Sequence, residues 1–331
     1  MNAIRRILLA VKAPDADRQP GIIKAIRIAA DLGASLELFH ALATPVSLEV
    51  QATKGHTLED IRRNAIEHAK GRLSRFVPAA RRRGVDITCS VVWDYPVHEA
   101  VVRRAAQIDA DLIIAECHKG ARTRAWLIHL TDWELLRISS LPVLLLKNSK
   151  PYHRPVVLAA VDPAHRHAKP TNLDASILEH ARLMAKALNG KLQAMHANQP
   201  SVHGLALADG TVNTLSLTMT YADLRRQART EFQHLMEKSG IGRSQAHFLE
   251  GDPVDAIPQS ARKLGASLVV MGAVSRSGFK RMFIGNTAER VLSALPCDVL
   301  VVKPEGFDAH VATEATGMRM TMPPPFAPIP V

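Results

Sequence analysis

The sequence predicts an α/β fold with two tandem doubly wound domains, each built on a five-stranded parallel sheet. Three observations predict it: the chain has 331 residues, short apolar runs alternate with segments of helical period, and the whole alternation occurs twice. At roughly 150 residues per domain, this length fits two domains. Parallel strands joined by helices are buried on both faces, so their sequences are apolar throughout and do not alternate.

The first repeat contains five such runs, which we interpret as strands. They lie at 7–11, 36–39, 87–92, 112–115 and 143–146. Between them, apolar side chains recur at helical spacing, which predicts one helix in each connection. Right-handed crossovers then place helices on both faces of a parallel sheet.

The second repeat follows the same order. Its predicted strands lie at 156–161, 192–195, 246–249, 268–271 and 299–302. We therefore expect one domain at 1–150, a second at 151–306 and a tail at 307–331. The tail ends in a proline-rich run that cannot form a helix or a central strand, so we predict that it is flexible.

Composition excludes several classes of protein. Lys and Arg total 42 against 31 acidic residues, but the surplus is spread along the chain, so we expect neither a nucleic acid nor a membrane as a direct partner. The three cysteines are far apart and form no CxxC pair, and the histidines have no compact ligand spacing. We therefore expect no disulfide framework and no metal site. No signal-peptide core is present, which favours a cytoplasmic location.

One loop in the second repeat carries the pattern of an anion site. Gly272 follows the fourth strand, and Gly285 precedes a helix that Asn286 can cap. Free main-chain N–H groups at a helix start attract phosphate, and a glycine allows its close approach. Ser275 and Arg276 add donors to the same loop. The alternative is that the two glycines serve only tight turns.

With this loop and its two repeats, the sequence resembles the tandem members of the universal stress protein family. Nucleotide-binding members carry Gly-x2-Gly-x9-Gly-[Ser/Thr] after the fourth strand. Here Ser275 replaces the middle glycine and Asn286 replaces the Ser/Thr, with Thr287 following. The family also has an aspartate after the first strand that contacts adenine, and Asp162 matches it. The resemblance implies ATP or another adenine nucleotide, with no metal beyond accompanying Mg. The candidate cofactor-binding residues are Asp162, Met195, Gly272, Ser275, Arg276, Gly285, Asn286 and Thr287.

The first repeat lacks this pattern. Glu116 stands at the position of the first glycine, His129 at that of the last glycine, and Lys12 in the region of the aspartate. A carboxylate repels phosphate, and a side chain at the glycine position obstructs it. We therefore predict that only the second repeat can hold a nucleotide.

The resemblance also implies how the repeats associate and what the chain does. Family members pair their last strands, so 143–146 and 299–302 should pair within one chain. The sequence does not decide whether two chains also form a homodimer. We expect a non-enzymatic stress-response protein with no catalytic residues, which signals through other proteins. One alternative is a nucleotide-free scaffold for interactions or another ligand. Another is a weak ATP hydrolase.

Overall fold

The computed structural model describes residues 3–43, 46–47, 57–119, 126–127, 130–163, 172–199, 214–273, 286–304, 306–307, 311–315 and 320–321. The chain divides into two compact units. The first-repeat unit comprises residues 4–116, 129–139 and 309–331, and the second-repeat unit comprises residues 1–3, 117–128 and 140–308.

The first-repeat unit contains four strands of a parallel sheet in the order β5-β1-β2-β4. Its strands are β1 (Arg6–Ala10), β2 (Ser35–Leu42), β3 (Val46–Ser47), β4 (Ile87–Trp93), β5 (Leu112–Glu116) and, from the C-terminal region, β14 (Met320–Thr321). Its helices are α1 (Pro20–Leu32), α2 (Leu58–Ser74), α3 (Val77–Arg81), α4 (Val97–Gln107) and α5 (Leu130–Ile138). The core lies along β1 and β5, whose apolar side chains are almost fully buried.

Local sequence explains where the first helix begins and ends. Pro20 stands in the first turn of α1, where its missing N–H costs nothing and its fixed φ suits a helix. Gly33 ends the helix with φ 64°, a left-handed conformation that glycine adopts without strain. Helix α1 therefore begins at Pro20, at the carboxyl end of the sheet, which is where ligands bind in this class of fold.

The second-repeat unit contains a six-stranded sheet in the order β11-β10-β9-β12-β13-β8. Its strands are β6 (His118–Lys119), β7 (Trp126–Leu127), β8 (Val143–Leu146), β9 (Val156–Ala160), β10 (Lys191–Asn198), β11 (Ala246–Glu250), β12 (Ala266–Gly272) and β13 (Asp298–Val302). Its helices are α6 (Leu173–Ala187), α7 (Thr214–Lys238), α8 (Pro253–Lys263) and α9 (Asn286–Ala294), with a short 3₁₀ helix at Arg243–Gln245. β9 to β13 pair in parallel.

The last strands of the two repeats pair antiparallel within this unit. Val299 lies opposite Leu145, and Leu300 lies opposite Leu144. The buried carboxylate of Asp298, at the start of β13, accepts hydrogen bonds just beyond β8 from Lys147 N at 2.8 Å and Tyr152 Oη at 2.6 Å. This pairing satisfies strand edges that would otherwise expose unpaired main-chain groups.

The predicted α/β fold with two parallel-dominated repeats is confirmed. Each of the ten predicted runs coincides with an observed strand, and the largest differences are extensions of up to three residues at the ends of β2 and β10. The two-residue strands β3, β6, β7 and β14 were not predicted. One feature differs from the order of the sequence: β8 belongs to the first repeat along the chain but lies in the second-repeat unit. The reason is its ladder with β13. Among the described helices, none has the length and apolar composition to cross a membrane.

Candidate functional site

Asp162 lies just beyond the carboxyl end of β9 in the second repeat, at the edge of the sheet where ligands bind in this class of fold. Val161 N donates to Met195 O at 2.9 Å, which extends the β9–β10 pairing by one residue and directs the chain outward at Asp162. The main-chain N–H of Asp162 donates to Asp174 Oδ1 at 2.9 Å, near the start of α6. The Asp162 side chain is 33% exposed, and its Oδ1 lies 3.6 Å from His196 Nδ1. The main chain at Asp162 is therefore held in place, and its carboxylate is partly open to solvent.

Gly272, the last residue of β12, brings that strand close to α6. A Cβ built at Gly272 would lie 2.7 Å from Leu173 Cδ2 and 3.2 Å from Ile177 Cδ1, closer than such contacts normally allow. The absence of a side chain at Gly272 therefore lets Leu173 and Ile177 of α6 pack closely against the end of β12, whether or not a ligand binds.

The remaining predicted site residues divide into three groups. Asn286 and Thr287 form the first turn of α9 and are exposed, so their polar groups can meet a ligand. Met195 lies inside β10 with its side chain fully buried, and its carbonyl is the acceptor of the Val161 N–H. Ser275, Arg276 and Gly285 lie outside the described residues.

The equivalent edge of the first repeat carries a buried ion pair. Lys12 follows β1, and its Nζ lies 2.6 Å from Asp132 Oδ1 and 2.7 Å from Oδ2. Asp132 stands in the first turn of α5, and its side chain is only 1% exposed. A carboxylate in the first turn of a helix interacts favourably with the helix dipole. Lys12 and Asp132 therefore join the end of β1 to the start of α5.

Glu116 closes the same edge at the start of α1. Its carboxylate accepts a hydrogen bond from the main-chain N–H of Gly21, the second residue of α1. A Cβ at Gly21 would collide with that carboxylate, so any larger residue there would force the Glu116 side chain to move. Burial raises the pKa of Glu116, while nearby Lys12 and the Gly21 N–H oppose the rise. The helix start that attracts anions is thus occupied by the chain's own carboxylate.

The two edges are equivalent in the fold but opposite in chemistry. Val11 N donates to Phe39 O as Val161 N donates to Met195 O, so Lys12 and Asp162 stand at the same structural position. A cation in the first repeat thus replaces an acid in the second. At the position of Glu116 the second repeat has Gly272, as the 156-residue offset predicts.

Sequence reasoning did not identify several residues of these edges. The pair formed by Lys12 and Asp132 spans 120 positions, and no local pattern reveals it. One signal was visible: His40 and His196 occupy the same place in the two repeats. His40 Nδ1 lies 2.7 Å from Val11 O, and His196 Nδ1 lies 3.1 Å from Val161 O. Burial lowers the pKa of His40.

Within the described ranges, no group of three or more His, Cys, Asp or Glu side chains is arranged to hold a metal ion. The chemistry at the second edge is instead that of hydrogen bonding. The partly exposed Asp162 carboxylate lies at the end of the sheet, and an exposed helix start lies at the beginning of α9.

Comparison with known proteins identifies the family. The model of the universal stress protein family matches residues 3–147 and 157–303. The chain belongs to the universal stress protein family. Both matches coincide with the repeats seen in the sequence, so each repeat is one domain of universal stress protein type.

Relatives of the same tandem length share this organisation. Universal stress protein E of Photorhabdus laumondii is 25% identical over 316 residues, covering 92% of this chain and 96% of the relative. Universal stress protein E of Escherichia coli K12 is 25% identical over 323 residues, covering 93% and 97%. The crystal structure of protein PA1789 from Pseudomonas aeruginosa PAO1 is 26% identical, with a TM-score of 0.71 over 93% of this chain and 96% of that chain.

Proposed function

We propose that this chain is a cytoplasmic, non-enzymatic stress-response protein that binds an adenine nucleotide in its second repeat. The first repeat binds none and acts as a structural partner. The observation that carries this proposal is the opposite chemistry of two equivalent edges: Lys12, Glu116 and Asp132 fill the first edge, whereas the second presents Asp162 and a glycine.

The first edge is unsuited to a nucleotide for two physical reasons. The Glu116 carboxylate already takes the N–H of Gly21, so a phosphate would have to displace it and would meet a like charge. Asp132 adds a second carboxylate, which pairs with Lys12. Separating these two groups would take a buried carboxylate away from this cation, which is strongly unfavourable.

The second edge is suited to a neutral base with an exocyclic amino group. Asp162 is acceptor-only when ionised, and one third of its side chain is exposed to solvent. Its backbone is held in place because its main-chain N–H donates to Asp174. An adenine amino group is a donor of the required kind. The phosphates would be met by the loop that begins after Gly272 and by the start of α9.

Calorimetric titration with ATP and Mg²⁺ tests the proposal. We expect binding in the micromolar range or weaker, since Ser275 and Asn286 depart from the family pattern. Asp162→Ala and Gly285→Arg should each abolish the heat of binding. Lys12→Arg, at the position equivalent to Asp162, is the matched control and should bind as the wild type does.

Two results would contradict the proposal. Loss of binding in Lys12→Arg but not in Asp162→Ala would place the nucleotide in the first repeat. If the wild type hydrolyses ATP and Gly285→Arg does not, the protein is a hydrolase. Equal turnover by the wild type and Gly285→Arg would instead indicate a contaminating enzyme. Submicromolar affinity would mean that the two departures from the pattern matter less than we infer.

A nucleotide-free scaffold is the second candidate, and one observation favours it. Gly272 packs closely against Leu173 and Ile177, which gives this glycine a role in packing that involves no ligand. Native mass spectrometry of freshly purified protein separates the two candidates. A retained adenine nucleotide supports the first, and the bare mass together with no calorimetric heat supports the scaffold.

A further inference from the structure

A buried side-chain amide ends β10 in the second repeat. Asn198 is the last residue of β10, and only 5% of it is exposed. Its carbonyl oxygen accepts the main-chain N–H of Gly251 at 3.1 Å, just beyond β11. Its side-chain Nδ2 is buried and has no hydrogen-bond partner within the part of the chain that the structure describes. A buried donor without an acceptor is costly, so we expect an acceptor from outside these residues.

The first repeat has an apolar residue at the same position. Leu42 is the last residue of β2, and its carbonyl oxygen accepts the main-chain N–H of Asp94 at 3.1 Å. This contact is equivalent to the one between Asn198 and Gly251, and the offset between the repeats also aligns Leu42 with Asn198. The fold therefore accommodates an apolar side chain at the end of this strand, so folding alone does not explain the amide.

Asn198 and Asp162 share one face of the sheet at its carboxyl end. Side chains two positions apart on a strand point to the same face, about 7 Å from each other, so Asn198 follows His196 on that face. The His196 ring packs against Phe232 of α7 and Phe248 of β11, with ring centres 6.0 and 5.5 Å away. Its Nδ1 lies 3.6 Å from Asp162 Oδ1. The carboxylate and the amide are thus placed on the same side of the edge where ligands bind.

The two side chains carry complementary chemistry. An ionised Asp162 only accepts hydrogen bonds, whereas the Nδ2 of Asn198 donates them. Adenine presents the matching pair, because its exocyclic amino group donates and the ring nitrogens on either side of that group accept. A base held by Asp162 through its amino group therefore turns an acceptor toward neighbouring donors.

We propose that Asn198 is a specificity residue of the nucleotide site, and that its side-chain amide donates to a ring nitrogen of adenine next to the amino group bound by Asp162. This assignment rests on the proposed function, because it adds a contact to the same ligand. The ligand supplies the acceptor that the buried amide needs. Removing the amide weakens binding of the adenine nucleotide and leaves the fold intact.

Calorimetric titration of Asn198→Leu with ATP and Mg²⁺ tests the contact. The substitution introduces the residue that the first repeat has at this position. We expect the affinity to fall about tenfold, which corresponds to the loss of one hydrogen bond. The matched control is Gln193→Leu, which removes another amide of β10. Gln193 lies near the amino end of the strand, where its Oε1 is 2.7 Å from His247 Nε2, so this variant should bind ATP as the wild type does.

Thermal unfolding without nucleotide distinguishes a binding role from a structural one. Asn198→Leu removes a buried donor that lacks an acceptor, so its melting temperature should equal or exceed that of the wild type. A lower melting temperature would show that the amide supports the fold, and would overturn the assignment.

Two deaza analogues identify the atom that the amide contacts. In 1-deaza-ATP and 7-deaza-ATP, a C–H group replaces one of the ring nitrogens beside the amino group. The wild type should bind one of the two about tenfold more weakly than ATP. Asn198→Leu should bind that analogue no more weakly than it binds ATP, because both changes remove the same contact.

The outcomes separate this inference from the proposed function. If the wild type binds ATP and Asn198→Leu binds it equally well, Asn198 does not contact the ligand, while the proposed function stands. Losses from the substitution and from each analogue that simply add would likewise overturn the contact. If ATP gives no heat of binding with the wild type, both the proposed function and the role of Asn198 are wrong.

Discussion

Two lysines at equivalent positions should respond oppositely to the same substitution. Lys147 and Lys303 follow the last strand of each repeat, and both are nearly buried. Lys147 Nζ donates to the carbonyl oxygens of Leu292 at 2.8 Å and Leu295 at 2.6 Å, near the C-terminus of α9. Within the described part of the chain, the Lys303 ammonium instead lies 4.6 Å from the centre of the Phe307 ring, without a hydrogen bond.

The magnitude follows from the pKa of Lys303. Burial lowers it from 10.5 to about 8. Each pKa unit corresponds to about 1.4 kcal/mol, so keeping this lysine charged at neutral pH costs the folded state about 3 kcal/mol. A methionine has a similar stem and no charge, but it gives up the contact of the cation with Phe307, worth about 1 kcal/mol. Lys303→Met should therefore raise the free energy of unfolding at pH 7 by about 2 kcal/mol.

The sign of the pH dependence is fixed by the direction of the shift. Between pH 8 and 10.5 the unfolded chain binds more protons at this lysine than the folded chain does. The free energy of unfolding of the wild type therefore rises with pH across this window, relative to a protein without the group. The advantage of Lys303→Met should be largest below pH 8 and should shrink steadily as the pH approaches 10.5.

Urea unfolding followed by circular dichroism at several pH values measures both effects. Lys147→Met is the paired variant. It leaves the carbonyls of Leu292 and Leu295 without their charged donor, so it should lower the free energy of unfolding by about 2 kcal/mol or more. The reasoning is refuted if Lys303→Met is destabilised at pH 7, or if its difference from the wild type does not change between pH 8 and 10.5.

Two further substitutions test the buried polar contacts. Tyr152→Phe removes the 2.6 Å hydrogen bond to the buried Asp298 carboxylate and should lower the free energy of unfolding by about 2 kcal/mol in the same urea titration. The control Tyr221→Phe, at an exposed position in α7, should change the free energy of unfolding little. Lys12→Met removes the Lys12 cation from the buried Asp132 carboxylate and should destabilise the protein by about 3 kcal/mol, seen as a lower melting temperature in calorimetry. Lys12→Arg should recover most of that loss, and full stability of Lys12→Met would show that the pair does not matter.

Much of the fold could be predicted from sequence because its signals are local. A parallel strand buried on both faces needs an unbroken apolar run, and each such run in the chain became a strand. The repeat offset predicted the equivalence of Glu116 and Gly272, and the described structure aligns Lys12 with Asp162. The adenine nucleotide, the role of Met195 and the loop with Ser275, Arg276 and Gly285 stay predictions.

The partners of the charged side chains could not be predicted, because pairing depends on which distant elements meet. The Nε of Arg103 donates to the carbonyl oxygen of Ala312, 209 positions away, and no pattern near either residue indicates the other. The close contact between Gly21 and Glu116 is equally hidden. The Glu116 carboxylate approaches the start of α1 from a strand almost a hundred positions away.

By itself, the sequence determined the α/β class, the duplication, the order of strands and helices along the chain, and the absence of the nucleotide-binding pattern from the first repeat. These features follow from hydrophobic periodicity and residue type, which act locally. Only the tertiary structure decided that the corresponding edge of the first repeat is filled by Glu116 and a Lys12–Asp132 pair, and that residues 311–315 and 320–321 contact the first repeat. The physical reason is that a buried charge is stable only beside a partner, and the fold brings that partner from far along the chain.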